Sequence, residues 1–240
     1  MWRPSSAYGA EGRNEIDGAE LRDNASMATP APFRLTMDLL DDAASLQRAL
    51  LPLSREPSGP VWNLDELSDI IDPASLVGAA VLVGLVSRPQ GTQVLLTRRN
   101  DSLQHHAGQV SFPGGRIDPG DRCALDAALR EAFEEVALSP DSVAPMGFLD
   151  PYATITGFRV LPVVARLPAD YRVEPNPDEV AEAFEVPLAP LLNGEQLVMR
   201  SGEYRGRTRG YWEYHVGPHR IWGATAAMLV NLARRLGTDI

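Results

Sequence analysis

The chain has 240 residues, 44% of them hydrophobic, enough for one sizeable core with extensions. Its net charge of −10 excludes a surface that tracks nucleic-acid backbone, which needs clustered cations. All 22 basic residues are arginine, which excludes a Schiff-base lysine or a lysine-bearing phosphate loop and leaves phosphate recognition to arginine, backbone N–H groups or a metal.

Residues 1–35 are rich in Gly, Ala, Asn, Ser and Pro without periodicity and read as a disordered tail. The start has no signal pattern, no segment is apolar enough to span a bilayer, and Cys123 stands alone. The expectation is therefore a cytoplasmic protein with no membrane partner. Residues 36–75 read as a helical lead-in. Leu39, Leu40, Ala43, Leu46 and Leu50 recur at helical spacing between Thr36 and Leu51, Pro52 ends that helix, and a shorter one is expected over Leu64–Ile71.

From 76 to 240 the pattern is that of a compact domain. Strands are expected at Ala79–Val86 and Gln93–Thr97, joined through Pro89-Gln90-Gly91, and again at Val110–Phe112. A glycine turn then leads to a helix from about Arg122 to Val136, with Asp121 as its expected N-cap. Further strands are expected at Ala144–Phe148, Phe158–Arg166 and Phe184–Pro187, followed by a helical turn at Leu188–Leu192. Strands at Leu197–Met199 and Tyr211–Val216 and a closing helix at Ala224–Leu236 complete the pattern. Strands intermixed with few helices, without regular alternation, predict an α/β fold in which helices sandwich a mixed sheet.

The helix after the glycine turn carries the clearest chemistry. At about 100° per residue, Glu131, Glu134 and Glu135 fall in one narrow sector, and Leu125, Leu129, Ala132, Phe133 and Val136 form a separate apolar stripe expected to face the core. Two unit charges about 4 Å apart repel by roughly 4 kcal/mol at an effective dielectric near 20. Arg130 can offset one carboxylate; the remainder suits a divalent cation held by hard oxygen donors. Gly114-Gly115 upstream lets the backbone approach such a ligand closely.

Gly115 through Leu138 resembles a Nudix box, G-x5-E-x7-R-E-U-x-E-E-x-G-U, the signature of hydrolases that cleave nucleoside diphosphates linked to another group. Asp121 stands for the first acid, one extra residue precedes Arg130, and Ala137 replaces the final glycine. Leu95-Leu-Thr-Arg-Arg-Asn-Asp-Ser-Leu-Gln-His-His-Ala-Gly-Gln-Val-Ser-Phe-Pro-Gly-Gly115 is similar to the motif of the coenzyme A diphosphatase branch. Asn100 stands where that motif has Ser or Ala, and Gln104 where it has Arg. Thr156-Gly-Phe-Arg-Val160, Asn176-Pro-Asp-Glu-Val180 and Ile221-Trp-Gly-Ala-Thr-Ala226 extend the likeness over about residues 76–237.

The resemblance implies a Nudix-type α/β/α sandwich and hydrolysis of the diphosphate bond of coenzyme A or acyl-coenzyme A, giving 4′-phosphopantetheine and 3′,5′-ADP. It implies Mg²⁺ or Mn²⁺ as cofactor, held by Glu131, Glu134, Glu135 and the carbonyl of Gly115, with Arg130 orienting the carboxylates. Glu179 is the candidate for an added ligand or general base, or is simply a polar turn residue. Arg99, Gln104, His106, Arg116 and Gly114 are candidates to contact the small nucleotide substrate. Gln104 keeps a second reading open, NADH or ADP-ribose as substrate, and a catalytically silent nucleotide-binding module is the third. A homodimer is compatible with all three.

Overall fold

The computed structural model describes residues 38–102 and 107–240. The expected tail over 1–35 and the start of the lead-in helix lie outside the described residues, as do Gln104, His105 and His106.

In chain order the elements begin with α1 (Ala43–Ala49), α2 (Leu64–Leu67), β1 (Val77–Arg88), β2 (Gly91–Arg99), β3 (Val110–Ser111), β4 (Gly114–Arg116) and α3 (Ala124–Val136). They continue with β5 (Ala144–Phe148), β6 (Tyr152–Ala153), β7 (Phe158–Arg166), β8 (Val180–Pro187), α4 (Leu188–Leu192), β9 (Leu197–Tyr204), β10 (Arg207–Val216), β11 (His219–Trp222) and α5 (Ala224–Arg235).

The β1–β2 hairpin turns through Pro89-Gln90, with Gly91 at φ 106°, a conformation open to glycine. The two strands pair only at this end, from Leu85 to Arg88 on β1. Further along they part, and residues 110–116 enter the gap: β3 pairs with β2 and β4 pairs with β1. Between them, Leu82 N–H donates to the Pro113 carbonyl at 2.8 Å, which closes the split without a continuous strand. The other edge of β1 is parallel to β7, which carries β5 and β6 antiparallel, and β8 lies antiparallel on the outer edge of β2. A separate antiparallel sheet is built from β9, β10 and β11.

Alternation along β1 sends side chains to two cores. Ala79, Val83 and Leu85 join Leu46 of α1, Leu191 of α4 and Leu229 of α5, whereas Ala80, Leu82 and Val86 join Ala127, Ala128 and Val136 of α3. The fold is thus an α/β/α sandwich around a mixed sheet, with α3 alone among the long helices on its face.

The lead-in packs against both the sheet and the loop before β7. Asn63 and Ala153 exchange two hydrogen bonds of 2.9 Å, and Leu51 bridges to Phe148. Helix α1 starts at Ala43, later than its apolar spacing predicts, because Asp42 accepts from Ser45 N–H at 3.1 Å and caps it. Leu39 and Leu40 are buried from the preceding turn, where Leu40 N–H meets the Thr92 hydroxyl, so their spacing reflects burial without helix. Helix α2 stops at Leu67, short of Ile71. Strands β4, β6 and β11 were not anticipated; at two to four residues they are too short for period-two alternation to register.

Candidate active site

Helix α3 begins two residues later than expected, and Asp121 does not cap it. Cys123 occupies the cap position without a side-chain bond. The free N–H of Ala124 instead donates to Glu56 Oε2 at 2.8 Å, so the lead-in segment caps this helix. Asp121 is turned the other way. Its two oxygens take Nε and Nη2 of Arg130, each at 3.0 Å, in a bidentate pair, and Oδ2 also accepts from Asp118 N–H at 2.8 Å. These bonds hold the Asp121 carboxyl below its ordinary pKa, chiefly through Arg130.

The buried face of α3 also differs from expectation. Phe133, placed on the core stripe by its spacing, is 55% exposed. The buried positions are Ala124, Ala127, Ala128, Ala132, Glu135 and Val136, a face rotated from the predicted stripe so that Glu135 lies within it. Small side chains let α3 settle onto β1 and the Gly114-Gly115 backbone, an approach a leucine stripe would hold off. The glycines are required on the other side. A Cβ on Gly114 (φ 152°) would lie 2.4 Å from the Ala80 carbonyl, and one on Gly115 would lie 2.5 Å from Cδ of Glu131.

Four carboxylates meet around this contact. Glu135 is 3% exposed, its Oε2 accepting from Gly114 N–H at 3.3 Å and its Oε1 3.8 Å from Arg99 Nη1. Burial pushes its pKa up to about 8 against these two partners, and the charges of Glu131 and Glu179 add to the rise. The Glu131 carboxyl is also raised, first by burial, with Glu134 and Glu179 contributing, although Arg130 Nη1 bonds it at 3.0 Å. Glu134 is the exposed member and takes the same nitrogen of Arg130 at 3.0 Å. Arg130 Nη2 in addition reaches the Arg116 carbonyl at 3.0 Å, so one guanidinium ties the helix to β4.

Glu179 lies on a loop anchored from two sides. Asn176 N–H donates to the Glu135 carbonyl at 2.8 Å, and Asn100 N–H donates to the Glu179 carbonyl at 2.8 Å. The structure therefore brings Arg99, Gly114, Gly115, Arg130, Glu131, Glu134, Glu135 and Glu179 together. The Arg116 side chain is exposed at the rim, and Gln104 and His106 fall outside the described residues.

Among the described residues, no three acidic or imidazole groups converge as a finished metal cage; Arg130 spans Glu131 and Glu134, and Glu135 faces Gly114. The donor chemistry nonetheless fits a hard divalent cation. It offers only oxygen ligands, it keeps a buried carboxylate whose nearest cation is 3.8 Å away, and it has a glycine where a side chain would displace Glu131.

A cavity of about 300 Å³ is lined by Arg98, Gln109, His219, Arg220 and Trp222 among others. Arg98 lies two residues beyond Leu96 on β2, on the sheet face that packs away from α3. His219 stacks on Phe184 at 3.7 Å between ring centroids, and the Arg220 guanidinium lies 4.7 Å over the Trp222 ring. His219 and Arg220 carry no local sequence signal, because hairpin pairing of β10 with β11 delivers them. Among the described residues, no helix is long and apolar enough to cross a membrane.

The family model described as NUDIX domain matches residues 77–205. The chain is similar to "Uncharacterized Nudix hydrolase NudL" of Klebsiella pneumoniae subsp. pneumoniae, 43% identical over 159 residues, covering 66% of this chain and 82% of that protein. The protein of that name from Escherichia coli (strain K12) is 42% identical over 159 residues with the same coverage. Among solved structures, the Nudix hydrolase RenU from M. smegmatis aligns with 48% of this chain and 72% of its own at 27% identity and a TM-score of 0.41.

Proposed function

The chain belongs to the Nudix hydrolase family, enzymes of the diphosphate bond in nucleoside diphosphate derivatives, and from that premise we propose that its substrate is coenzyme A or an acyl-coenzyme A. The observation that carries this reading is the position of the Leu95–Gly115 motif. Its first part forms the end of β2, whose Arg99 reaches Glu135, and its last part forms the Phe112-Pro113-Gly114-Gly115 backbone on which Glu131 and Glu135 rest. The two ends of the segment that resembles the coenzyme A diphosphatase signature thus border the acidic site.

Glu131, Glu134, Glu135 and the Gly115 carbonyl would hold Mg²⁺ or Mn²⁺, which when bound supplies charge neutralisation and an acidified water. Arg130 keeps Glu131 and Glu134 within one guanidinium's reach and fixes them to β4. Glu179, whose charge already acts on Glu131 and Glu135, serves as a further ligand or takes the proton of the attacking water. Water adds to one phosphorus as its bond to the bridging oxygen breaks, leaving 4′-phosphopantetheine and 3′,5′-ADP. Arg99, beside Glu135, and the exposed Arg116 are the arginines that would meet the phosphates.

Gln104, in place of the arginine of the coenzyme A motif, favours a second reading in which NADH or ADP-ribose is cleaved. A panel of coenzyme A, acetyl-coenzyme A, NADH and ADP-ribose with Mg²⁺ or Mn²⁺, read by product chromatography, decides between them. Coenzyme A or its thioester should give the highest kcat/KM; a far higher value for NADH or ADP-ribose would overturn the substrate assignment.

A further inference from the structure

We propose that Asn100 is a positioning residue that sets Glu179 against the acidic cluster; this rests on the reading of Glu179 as a participant in hydrolysis. Asn100 follows the last residue of β2, beyond which the chain turns away. Its side chain works in both directions. Oδ1 accepts from Ser102 N–H and from the Ser102 hydroxyl, both at 3.0 Å, which shapes the turn leaving β2. Nδ2 donates to the Pro177 carbonyl at 2.6 Å, and the backbone N–H donates to the Glu179 carbonyl at 2.8 Å. Asn100 therefore holds the 176–179 loop at two carbonyls, two residues apart.

The same loop is held to α3 by Asn176, whose N–H meets the Glu135 carbonyl at 2.8 Å and whose Oδ1 accepts from Asp178 N–H at 3.2 Å. Glu179 sits between these two anchors, one on the helix that carries Glu131 and Glu135 and one on the strand that carries Arg99. Pro177 has no N–H to offer, so its carbonyl is the group at that position by which the loop can be gripped. Serine or alanine, which the resembling signature carries at position 100, is too short to make the Pro177 bond. In this chain the bond is a local addition that pins the fourth carboxylate.

The test compares Asn100→Ala, Asn100→Asp, Glu179→Gln and the double variant Asn100→Ala/Glu179→Gln by steady-state kinetics on the preferred substrate. Asn100→Asp keeps the acceptor for Ser102 but sets a carboxylate oxygen against the Pro177 carbonyl, so it breaks the clamp without emptying the position should Asn100→Ala fold poorly. Both Asn100 variants should lower kcat by about 10- to 100-fold with KM within about twofold, as misplacement of a catalytic group does. The double variant should be no slower than Glu179→Gln alone, since both changes disable one group. Wild-type kcat in the Asn100 variants beside a slow Glu179→Gln would overturn the proposal and leave Glu179 its role. So would losses that multiply in full in the double variant. Wild-type kcat in Glu179→Gln would overturn the role of Glu179 and the proposal together.

Discussion

Replacing Glu135 by glutamine should inactivate the enzyme and stabilise it at once. The side chain keeps its shape and can still accept from Gly114 N–H, but it no longer carries a charge into a site that is 3% exposed. In the unfolded chain this carboxyl releases its proton near the ordinary value of 4.5, and in the folded protein near about 8. Between those values the native state holds a proton that the unfolded state has lost, so rising pH favours unfolding. Below the window both states are protonated, and above it both are ionised. At about 1.4 kcal/mol per pH unit the whole window removes about 4–5 kcal/mol of stability from the metal-free protein. For a domain of this size that is on the order of 10 °C in Tm. Thermal melts in EDTA from pH 4.5 to 8.5 should show wild type and Glu135→Gln together at the acid end, with the variant progressively higher towards pH 8.5. Turnover with Mg²⁺ or Mn²⁺ should fall by at least about two orders of magnitude. A variant that melts at or below wild type at pH 8.5 would refute the burial argument, and near-normal turnover would refute the metal role.

Three further outcomes follow from neighbouring contacts. Ala137 closes α3 at φ 55°, where a non-glycine residue costs about 1–2 kcal/mol, so Ala137→Gly should raise Tm by about 1–4 °C after glycine's greater unfolded freedom is offset; a lower Tm would contradict this. Arg130→Lys keeps the charge but loses the fork that joins Asp121, Glu131, Glu134 and the Arg116 carbonyl. It should cut kcat at least about tenfold, and wild-type kinetics would show the network to be dispensable. Glu56→Ala removes the cap on Ala124 and should cost about 1 kcal/mol, with faster amide exchange confined to the first turn of α3; unchanged exchange there would exclude the capping role.

Strands β1, β2 and β7 and helix α5 were legible because they carry apolar runs or periodicity that match their burial, whereas the largely exposed β9 and β10 are expected only over Leu197–Met199 and Tyr211–Val216. The acidic helix was legible in its residues and misread in its rotation. Spacing alone assigns bulk to the core, so Phe133 was placed inside; the alanines that lie there carry little hydrophobic weight. What makes alanine the right choice is the Gly114-Gly115 backbone opposite, a contact across the fold that no local window contains. The same applies to Asp121, whose turn setting suggests a cap, whereas its partner is Arg130 at 3.0 Å. Glu179 could be named only through resemblance, because its closeness to α3 depends on the Asn176 and Asn100 anchors.

The cap supplied by Glu56 separates two boundaries that are easily equated. The family match runs from 77 to 205, yet the residue that finishes the N-terminus of α3 comes from position 56, and the core behind β1 is filled by Leu46, Leu229 and Leu232. A fragment cut at the limits of the match would keep every acidic residue of the site and lose α1 and α5, which cover the opposite face of the sheet. Grafts of this acidic site into other hosts therefore need to carry residues from about 38 onward and the closing helix, or replace both.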